Sequence, residues 1–196
     1  MNLKLVGGYN VYNALAAIGY GLVEGIDIQT IKQGVESLSG VRGRFELVEK
    51  GQDFTVVIDY AHTPDGLQNV ILSAKRLNPK RIITIFGCGG DRDREKRPQM
   101  GKIATDLSNW TIITSDNPRN EDPEAIIKEI KAGIGGKAYE VVIDRNQAIT
   151  KALDYAKQGD LILIAGKGHE TYQIFKDKTI HFDDREIVET FLVNSL

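Results

Sequence analysis

The chain has 196 residues, of which 41% are hydrophobic and 27% charged, and its net charge is -2 at pH 7. These values are typical of a globular protein with one full domain and part of a second, large enough to bury a core without disulfides. The near-neutral charge argues against a nucleic-acid partner, no run approaches the ~20 apolar residues of a membrane span, and the single Cys88 fits the reducing cytoplasm.

The first forty residues predict helices and no strands. Apolar residues recur at helical spacing over residues 11–23, which predicts a first helix. Asp27 is placed to cap a second helix over residues 28–38, with Ile31 and Val35 facing inward. A basic, glycine-rich segment follows at residues 40–44. We therefore place a domain boundary there, with a helical segment over residues 1–44 and a second domain over residues 45–196.

Strands and helices alternate after this boundary. Strands are predicted at residues 45–49, 54–59, 82–86, 110–114, 140–143 and 161–165, and helices lie between most of them. A hairpin over residues 172–175 and 179–182 and a last helix from residue 184 complete the chain. This order predicts an α/β fold, a mostly parallel sheet with helices on both faces, right-handed crossovers and the hairpin at a sheet edge.

Four of the predicted strands end in loops rich in polar residues, glycine or proline. These loops are residues 59–62, 87–98, 115–119 and 166–170. Because the carboxyl ends of parallel strands meet at one edge of a sheet, the four loops are expected to converge on one ligand crevice.

The loop over residues 87–98 combines glycines with charge. Its glycines permit positive φ and close backbone approach, and Arg92 offers a fork of donors suited to a carboxylate or phosphate. We expect Arg94, Glu95 and Arg97 to be solvated and to pair within the loop, and Cys88 to pack at the strand end. The loop matches neither G-x-x-x-x-G-K-[ST] nor G-x-G-x-x-G, so neither phosphate-binding fingerprint applies.

The other loops contain further candidate residues. The composition around Asp116 and Pro118 is that of a turn, which does not explain Arg119, a long cation at the predicted crevice. On residue type alone His62 is a surface histidine, but Asp59 at the end of the preceding strand favours contact of both with a polar ligand. No histidine or cysteine cluster has zinc-ligand spacing, so no metal site is predicted.

Six segments of the chain resemble the Mur ligases: GYNVYNALAA (8–17), GRFE (43–46), VIDYAHTPDGL (57–67), FGCGGDRDREKRP (86–98), SDNPRNEDP (115–123) and AGKGHETYQ (165–173). The motif DNPR at residues 116–119 is similar to the branch of the family that adds meso-diaminopimelate, not lysine. The resemblance implies the tail of a central ATPase domain over residues 1–44 and a Rossmann-like carboxyl-terminal domain over residues 45–196, both belonging to a longer enzyme.

The resemblance also implies two groups of site residues. For diaminopimelate they are Arg92, Asp116, Asn117, Pro118, Arg119, Gly166 and Glu170. Guanidinium and amide donors suit its two carboxylates, and a carboxylate such as that of Glu170 suits an ammonium group. For the nucleotide and the hinge they are Asn13, Arg44, Asp59 and His62, with Arg44 near the phosphates and the last two near ribose and adenine.

For the whole ligase the resemblance implies a reaction in peptidoglycan synthesis. ATP and Mg²⁺ phosphorylate the D-glutamyl carboxylate of UDP-MurNAc-L-Ala-D-Glu, and the amine of diaminopimelate attacks the acyl phosphate. Without the phosphate-binding loop, we expect this chain alone to be inactive and to hold no cofactor tightly. We also expect it to be a monomer. A lysine-adding ligase and a non-catalytic binding or regulatory module are the alternatives.

Overall fold

A six-stranded sheet dominates the computed structural model, which describes residues 1–5, 8–38 and 40–195, without the side chain of Tyr9. Its helices are α1 (Gly8–Val23), α2 (Ile28–Ser37), α3 (Pro64–Lys75), α4 (Lys96–Leu107), α5 (Pro123–Lys131), α6 (Arg145–Tyr155) and α7 (Asp184–Ser195). Its strands are β1 (Glu46–Val48), β2 (Thr55–Asp59), β3 (Ile82–Phe86), β4 (Trp110–Ile113), β5 (Tyr139–Val141), β6 (Leu161–Ala165), β7 (Tyr172–Ile174) and β8 (Thr179–His181).

The strand order in the main sheet is β1-β2-β6-β3-β4-β5, and all neighbours are parallel except the antiparallel pair β1 and β2. Every residue of the central strands β3 and β6 is buried. Such runs need apolar cover on both faces, and two helical layers provide it. The predicted α/β fold with a mostly parallel sheet is therefore confirmed.

Two apolar clusters lie on opposite faces of this sheet. One contains Leu67 of α3, Met100 of α4 and Ile127 of α5, and the other contains Ile149 of α6 and Val188 of α7. Burial of each such side chain contributes about 1.5–3 kcal/mol, so the stability of the domain comes mainly from these two layers.

Local caps explain where several helices begin. Thr63 precedes Pro64 at the start of α3, and its side chain accepts a hydrogen bond from Gly66 N at 3.1 Å. Asp122 and Asp144 cap α5 and α6 in the same way. These side chains satisfy amide groups that have no partner within the helix, and they place the preceding loops at the carboxyl edge of the sheet.

The hairpin differs from its prediction in one respect. It was predicted at an edge of the main sheet, but the edge strands there are β1 and β5, and β7 and β8 form a two-stranded sheet of their own. The backbone of β7 bonds the loop that follows β4, where Arg119 N donates to Ile174 O at 3.0 Å. The hairpin therefore lies over the carboxyl end of β4 and does not extend the main sheet.

The amino-terminal helices pack together, and α1 leaves much of its apolar surface exposed. Ile31 of α2 is buried and Val35 is half-buried, as predicted. On α1, Val11, Leu15 and Leu22 are 47%, 57% and 53% exposed. Helical spacing therefore identified the helix correctly, although these three side chains contact solvent. No helix in the described ranges is long and apolar enough to cross a membrane.

Arg97 was wrongly predicted to be solvated. Its side chain is fully buried on α4 and donates to both carboxylate oxygens of Glu121 at 2.8 Å and to Glu129 Oε2 at 2.7 Å. Both acids come from the region of α5, so the arginine connects two neighbouring helices. Arg94 and Glu95 are exposed as predicted, but Arg94 pairs with Glu129 and not with an acid of its own loop.

The pairing with Arg97 predicts how stability depends on pH. Hydrogen bonds from Arg97 lower the pKa of Glu121 from 4.5 to about 2. The stabilisation is therefore complete above the unfolded-state pKa of 4.5 and is lost as the pH falls towards 2. We expect Glu121→Gln to be about 1–2 kcal/mol less stable than the wild type at pH 7, after allowance for solvent screening.

Urea unfolding of both proteins at pH 7 and pH 3 measures this difference, which should shrink at the lower pH. Glu49→Gln, at an exposed position, is the control and should unfold like the wild type at both values. A Glu121→Gln effect of the same size at pH 7 and pH 3 would contradict the assignment.

Candidate functional site

A cleft of about 450 Å³ opens at the carboxyl edge of the sheet. Its walls contain residues from all four loops that were predicted to converge, together with Tyr172 of the hairpin. The residues of interest are Tyr60, His62, Gly89, Arg92, Asp116, Asn117, Arg119, Gly166 and Glu170. The topology therefore brings six of the seven predicted amino-acid contacts into the lining of one cleft, and Pro118 lies buried next to them in the chain.

Asn117 and Glu170 bond each other in the lining of this cleft. Asn117 Nδ2 donates to Glu170 Oε2 at 2.8 Å, which connects the loop after β4 to the loop after β6. Behind them lies Lys167, whose side chain has no exposed surface and whose Nζ lies 3.1 Å from both Asn117 Oδ1 and Glu170 Oε2. Lys167 is not among the residues predicted from the sequence, although it lies between two glycines after a buried strand, which is a usable signal.

The hairpin holds the loop at residues 116–119 in place. Gln173 Nε2 donates to Asp116 O at 2.7 Å, and Ile174 N donates to Asn117 Oδ1 at 3.0 Å. Arg119 has a φ of 53°, in the left-handed region that non-glycine residues seldom adopt. The hydrogen bond from Arg119 N to Ile174 O, together with the two bonds above, therefore stabilises an unfavourable backbone conformation at the cleft.

Asp116 is a buried carboxylate at the inner end of the cleft. Burial raises the pKa of Asp116 above its ordinary value, while the charges of Arg145 and Lys167 act in the opposite direction. Arg145 is itself fully buried and donates from Nε and Nη2 to the two oxygens of Asp184, each at 2.8 Å. Burial opposes the charge of Arg145, but the Asp184 carboxylate raises its pKa above the usual range.

Arg92 and Arg119 add positive charge to the lining of the cleft that also contains the Glu170 carboxylate. Arg92 is exposed and donates to Asp91 O at 3.0 Å, and Arg119 Nη1 donates to Gly90 O at 2.9 Å. In the described part of the chain neither guanidinium pairs with a carboxylate. Both therefore retain donors for an anionic group in the cleft.

The glycines of the loop after β3 allow the backbones of neighbouring loops to approach closely, and none of them has a positive φ. Gly90 N donates to Asn117 O at 2.9 Å, and a Cβ at Gly90 would lie 1.9 Å from Pro118 O. The residue with positive φ in this loop is Asp91, at 53°. Of the two reasons predicted for these glycines, backbone contact between neighbouring loops is the one observed.

A second cleft of about 890 Å³ lies beside the first and shares Tyr60, His62 and Thr63 with it. It contains Arg44, whose guanidinium carbon lies 4.9 Å from the Tyr60 ring centroid, and apolar side chains of α1 and α3. His62 is exposed, and its Nδ1 lies 2.9 Å from Tyr60 O. Asn13 lies on α1 outside this lining, and its amide donates to Asn10 Oδ1 at 3.1 Å.

Asp59 lies in the wall of the second cleft and already has structural partners. Its Oδ2 accepts from Phe45 N at 2.7 Å and its Oδ1 from Ala61 N at 2.8 Å. Burial raises the pKa of Asp59, and these two bonds act against that rise. Phe45 has a φ of 46°, so the carboxylate stabilises a strained residue at the boundary of the two predicted domains. Across residues 1–5, 8–38 and 40–195 no cluster of acids, histidine and cysteine could hold a metal ion.

Known proteins resemble the chain over its whole length. Residues 43–168 match the family described as Mur ligase, glutamate ligase domain. The chain is 52% identical over 195 residues to the UDP-N-acetylmuramoyl-L-alanyl-D-glutamate--2,6-diaminopimelate ligase of Syntrophomonas wolfei, covering 98% of this chain and 40% of that protein. It is 51% identical over 196 residues to the Bacillus cereus protein of the same name, covering 100% and 40%.

Solved structures of two ligases also resemble the chain. A structure of a ligase with that name superposes with a TM-score of 0.78 at 40% identity, covering 100% of this chain and 40% of the other. The UDP-N-acetylmuramate-alanine ligase of Thermotoga maritima has the same fold, with a TM-score of 0.67 at 23% identity. This superposition covers 98% of this chain and 39% of the other. The chain thus spans about two fifths of the length of these relatives.

The close contact of loops at Gly90 predicts a stability effect. Gly90→Ala forces the loop away from Pro118 and should destabilise the protein by about 1–3 kcal/mol, the usual cost of overpacking. A Cβ at Gly135 meets no atom within 4 Å, so Gly135→Ala is the matched control and should change stability by less than about 1 kcal/mol. Urea unfolding measures both variants, and equal stabilities would show that the loops separate freely.

Proposed function

The chain belongs to the Mur ligase family, and from that premise we propose that it is the amino-acid-binding part of a ligase that adds meso-diaminopimelate to UDP-N-acetylmuramoyl-L-alanyl-D-glutamate. The observation that carries the proposal is the distribution of charge in the smaller cleft. Arg92 and Arg119 lack carboxylate partners among the described residues, and Asp116 and Glu170 are carboxylates in the same walls. An amino acid needs both kinds of partner.

Each ionic group of the ligand has a matching group in the cleft. Guanidinium forks from Arg92 and Arg119, with an N–H of Asn117, suit a carboxylate. The Glu170 carboxylate, with that of Asp116, suits an ammonium group. Gly166 permits close approach, since a Cβ there would lie 2.8 Å from Asp116 Oδ2. The cleft would thus orient one amino-acid head of diaminopimelate and leave its other amine positioned to attack, which is an effect of orientation.

The same groups favour diaminopimelate over lysine. The two molecules differ in a carboxylate, which lysine lacks at its distal carbon. When lysine presents its α-amine for attack, the distal end held in the cleft has only an ammonium group, so Arg119 would keep no anionic partner at a half-buried position. A site that is built to bond a group rejects an analogue without it, because its own polar atoms remain unpaired.

We assign the larger cleft to ATP in the whole ligase. Its volume of about 890 Å³ and its combination of apolar walls with Arg44 fit a nucleotide. Arg44 would contact the phosphates, and His62 and Asp59 the adenosine, with Asp59 contributing lone pairs beyond the two that Phe45 and Ala61 use. ATP would supply the phosphoryl group that activates the acceptor carboxylate. The Mg²⁺ that we expect in the reaction has no ligand cluster among the described residues.

Residues 1–44 fit the proposal that they form the tail of a central ATPase domain. Val11, Leu15 and Leu22 expose an apolar face of α1 that a larger domain would cover. Because the sequence contains no G-x-x-x-x-G-K-[ST] loop, we expect these 196 residues alone not to form the amide bond. Their contribution would be to bind and present the amine.

Calorimetry with the purified chain tests this function. The wild type should bind meso-diaminopimelate weakly and lysine more weakly still, and Arg119→Ala should lower the affinity for diaminopimelate about tenfold and abolish the difference. Arg94→Ala is the matched control, since it removes an arginine that pairs with Glu129 outside the cleft lining. Equal responses of the wild type to both amino acids would contradict the proposal.

A further inference from the structure

Lys167 is a buried cation whose oxygen partners are residues of the smaller cleft. Its side chain has no exposed surface, and lysine is almost never buried in this way without partners. Nζ lies 3.1 Å from Asn117 Oδ1 and 3.1 Å from Glu170 Oε2, and 5.6 Å from the centroid of the Tyr172 ring. All three partners line the cleft, whereas Lys167 lies behind its wall.

The contacts of its Oδ1 atom, one of them with Lys167, determine which way the Asn117 amide points. Oδ1 of Asn117 faces Lys167 Nζ and Ile174 N, at 3.1 Å and 3.0 Å. An ammonium group and a backbone N–H are donors and cannot accept, so the amide atom facing them must be the oxygen. The amide nitrogen therefore faces Glu170 and the cleft, where it has one hydrogen for Glu170 Oε2 and a second for a ligand.

The same cation determines how Glu170 is presented. Oε2 of Glu170 accepts from both Asn117 Nδ2 and Lys167 Nζ, at 2.8 Å and 3.1 Å. The described residues provide no hydrogen bond to the other oxygen, Oε1, which therefore remains for a donor on the ligand. Lys167 thus separates the pair into one donor, the Asn117 N–H, and one acceptor, Glu170 Oε1.

A purely structural ion pair would have different partners. Arg145 bonds Asp184 at the start of α7, and Arg97 bonds Glu121 and Glu129, so these cations connect elements of the scaffold. The oxygens bonded by Lys167 belong instead to the two side chains that we assign to the ligand. Its charge also offsets part of the repulsion between Glu170 and Asp116 in one small cleft.

We propose that Lys167 is a positioning residue that sets the polarity of the amino-acid site, holding Asn117 as a donor to the ligand carboxylate and Glu170 as an acceptor of the ligand ammonium. The inference rests on the proposed function for the identity of the ligand. Its structural part, the orientation of Asn117 by Lys167, is testable without any ligand.

Lys167→Met removes the charge while keeping the length of the side chain. The first measurement is the side-chain amide ¹H–¹⁵N resonances of Asn117 in the free protein, which should shift in this variant. Lys151→Met is the control, since Lys151 is 48% exposed on α6 and pairs with Glu140 away from the cleft. If Lys167→Met does not fold, Lys167→Gln, which keeps a donor without the charge, takes its place.

The second measurement is calorimetric binding of meso-diaminopimelate. We expect Lys167→Met to weaken binding about tenfold or more. The losses in Lys167→Met and Glu170→Gln should not add in the double variant, because one acts through the other. A role in folding alone would lower stability and leave binding by the folded protein unchanged.

The outcomes separate the two proposals. Unshifted Asn117 resonances in Lys167→Met overturn the inference, and so does unchanged or fully additive binding where the wild type binds. If the wild type does not bind diaminopimelate, the proposed function fails, and the Asn117 resonances alone then decide whether Lys167 positions this residue.

Discussion

Three cations without any exposed side-chain surface, Arg97, Arg145 and Lys167, lie beneath the loops at the carboxyl edge of the sheet. A charge removed from water must be paired, or its desolvation costs several kcal/mol. Each cation therefore constrains where its partners lie, and each has at least one partner in another segment of the chain. Arg97 connects α4 to the region of α5, Arg145 connects α6 to α7, and Lys167 connects the loop after β6 to the loop after β4.

This arrangement divides the charges of the carboxyl edge into two sets. The buried cations are matched by Glu121, Glu129, Asp184 and Glu170 within the protein. Arg92 and Arg119 have only carbonyl oxygens as partners in the described residues, so their charge is available to a ligand. Tyr60 lines both clefts and contacts Arg44, His62 and His169 through its ring, so the smaller cleft and the larger cleft share a wall. A shift of this ring would affect both.

The loops at the carboxyl edge of the sheet also lie so close together that some positions have no room for a side chain. At Gly90 a side chain would overlap Pro118 O, and at Gly166 it would approach Asp116 Oδ2. The hairpin adds bonds from Gln173 and Ile174 to the same loop, where Arg119 has an unfavourable backbone conformation. These hydrogen bonds therefore stabilise the strained backbone of Arg119, whose side chain lines the cleft.

The helices, the strands and the sheet edge at which the loops meet were predictable from local sequence patterns. Local signals suffice for this, since an apolar run such as residues 82–86, a cap such as Thr63 and a proline such as Pro123 act on their own neighbourhood. Which charges are solvated and which are buried depends instead on how distant segments pack together. Arg94 and Arg97 have the same side chain three residues apart, and α5 covers one and not the other. The contact of Lys167 with Asn117 and the position of Asn13 outside the lining of the larger cleft likewise depend on segments that are far apart in the chain.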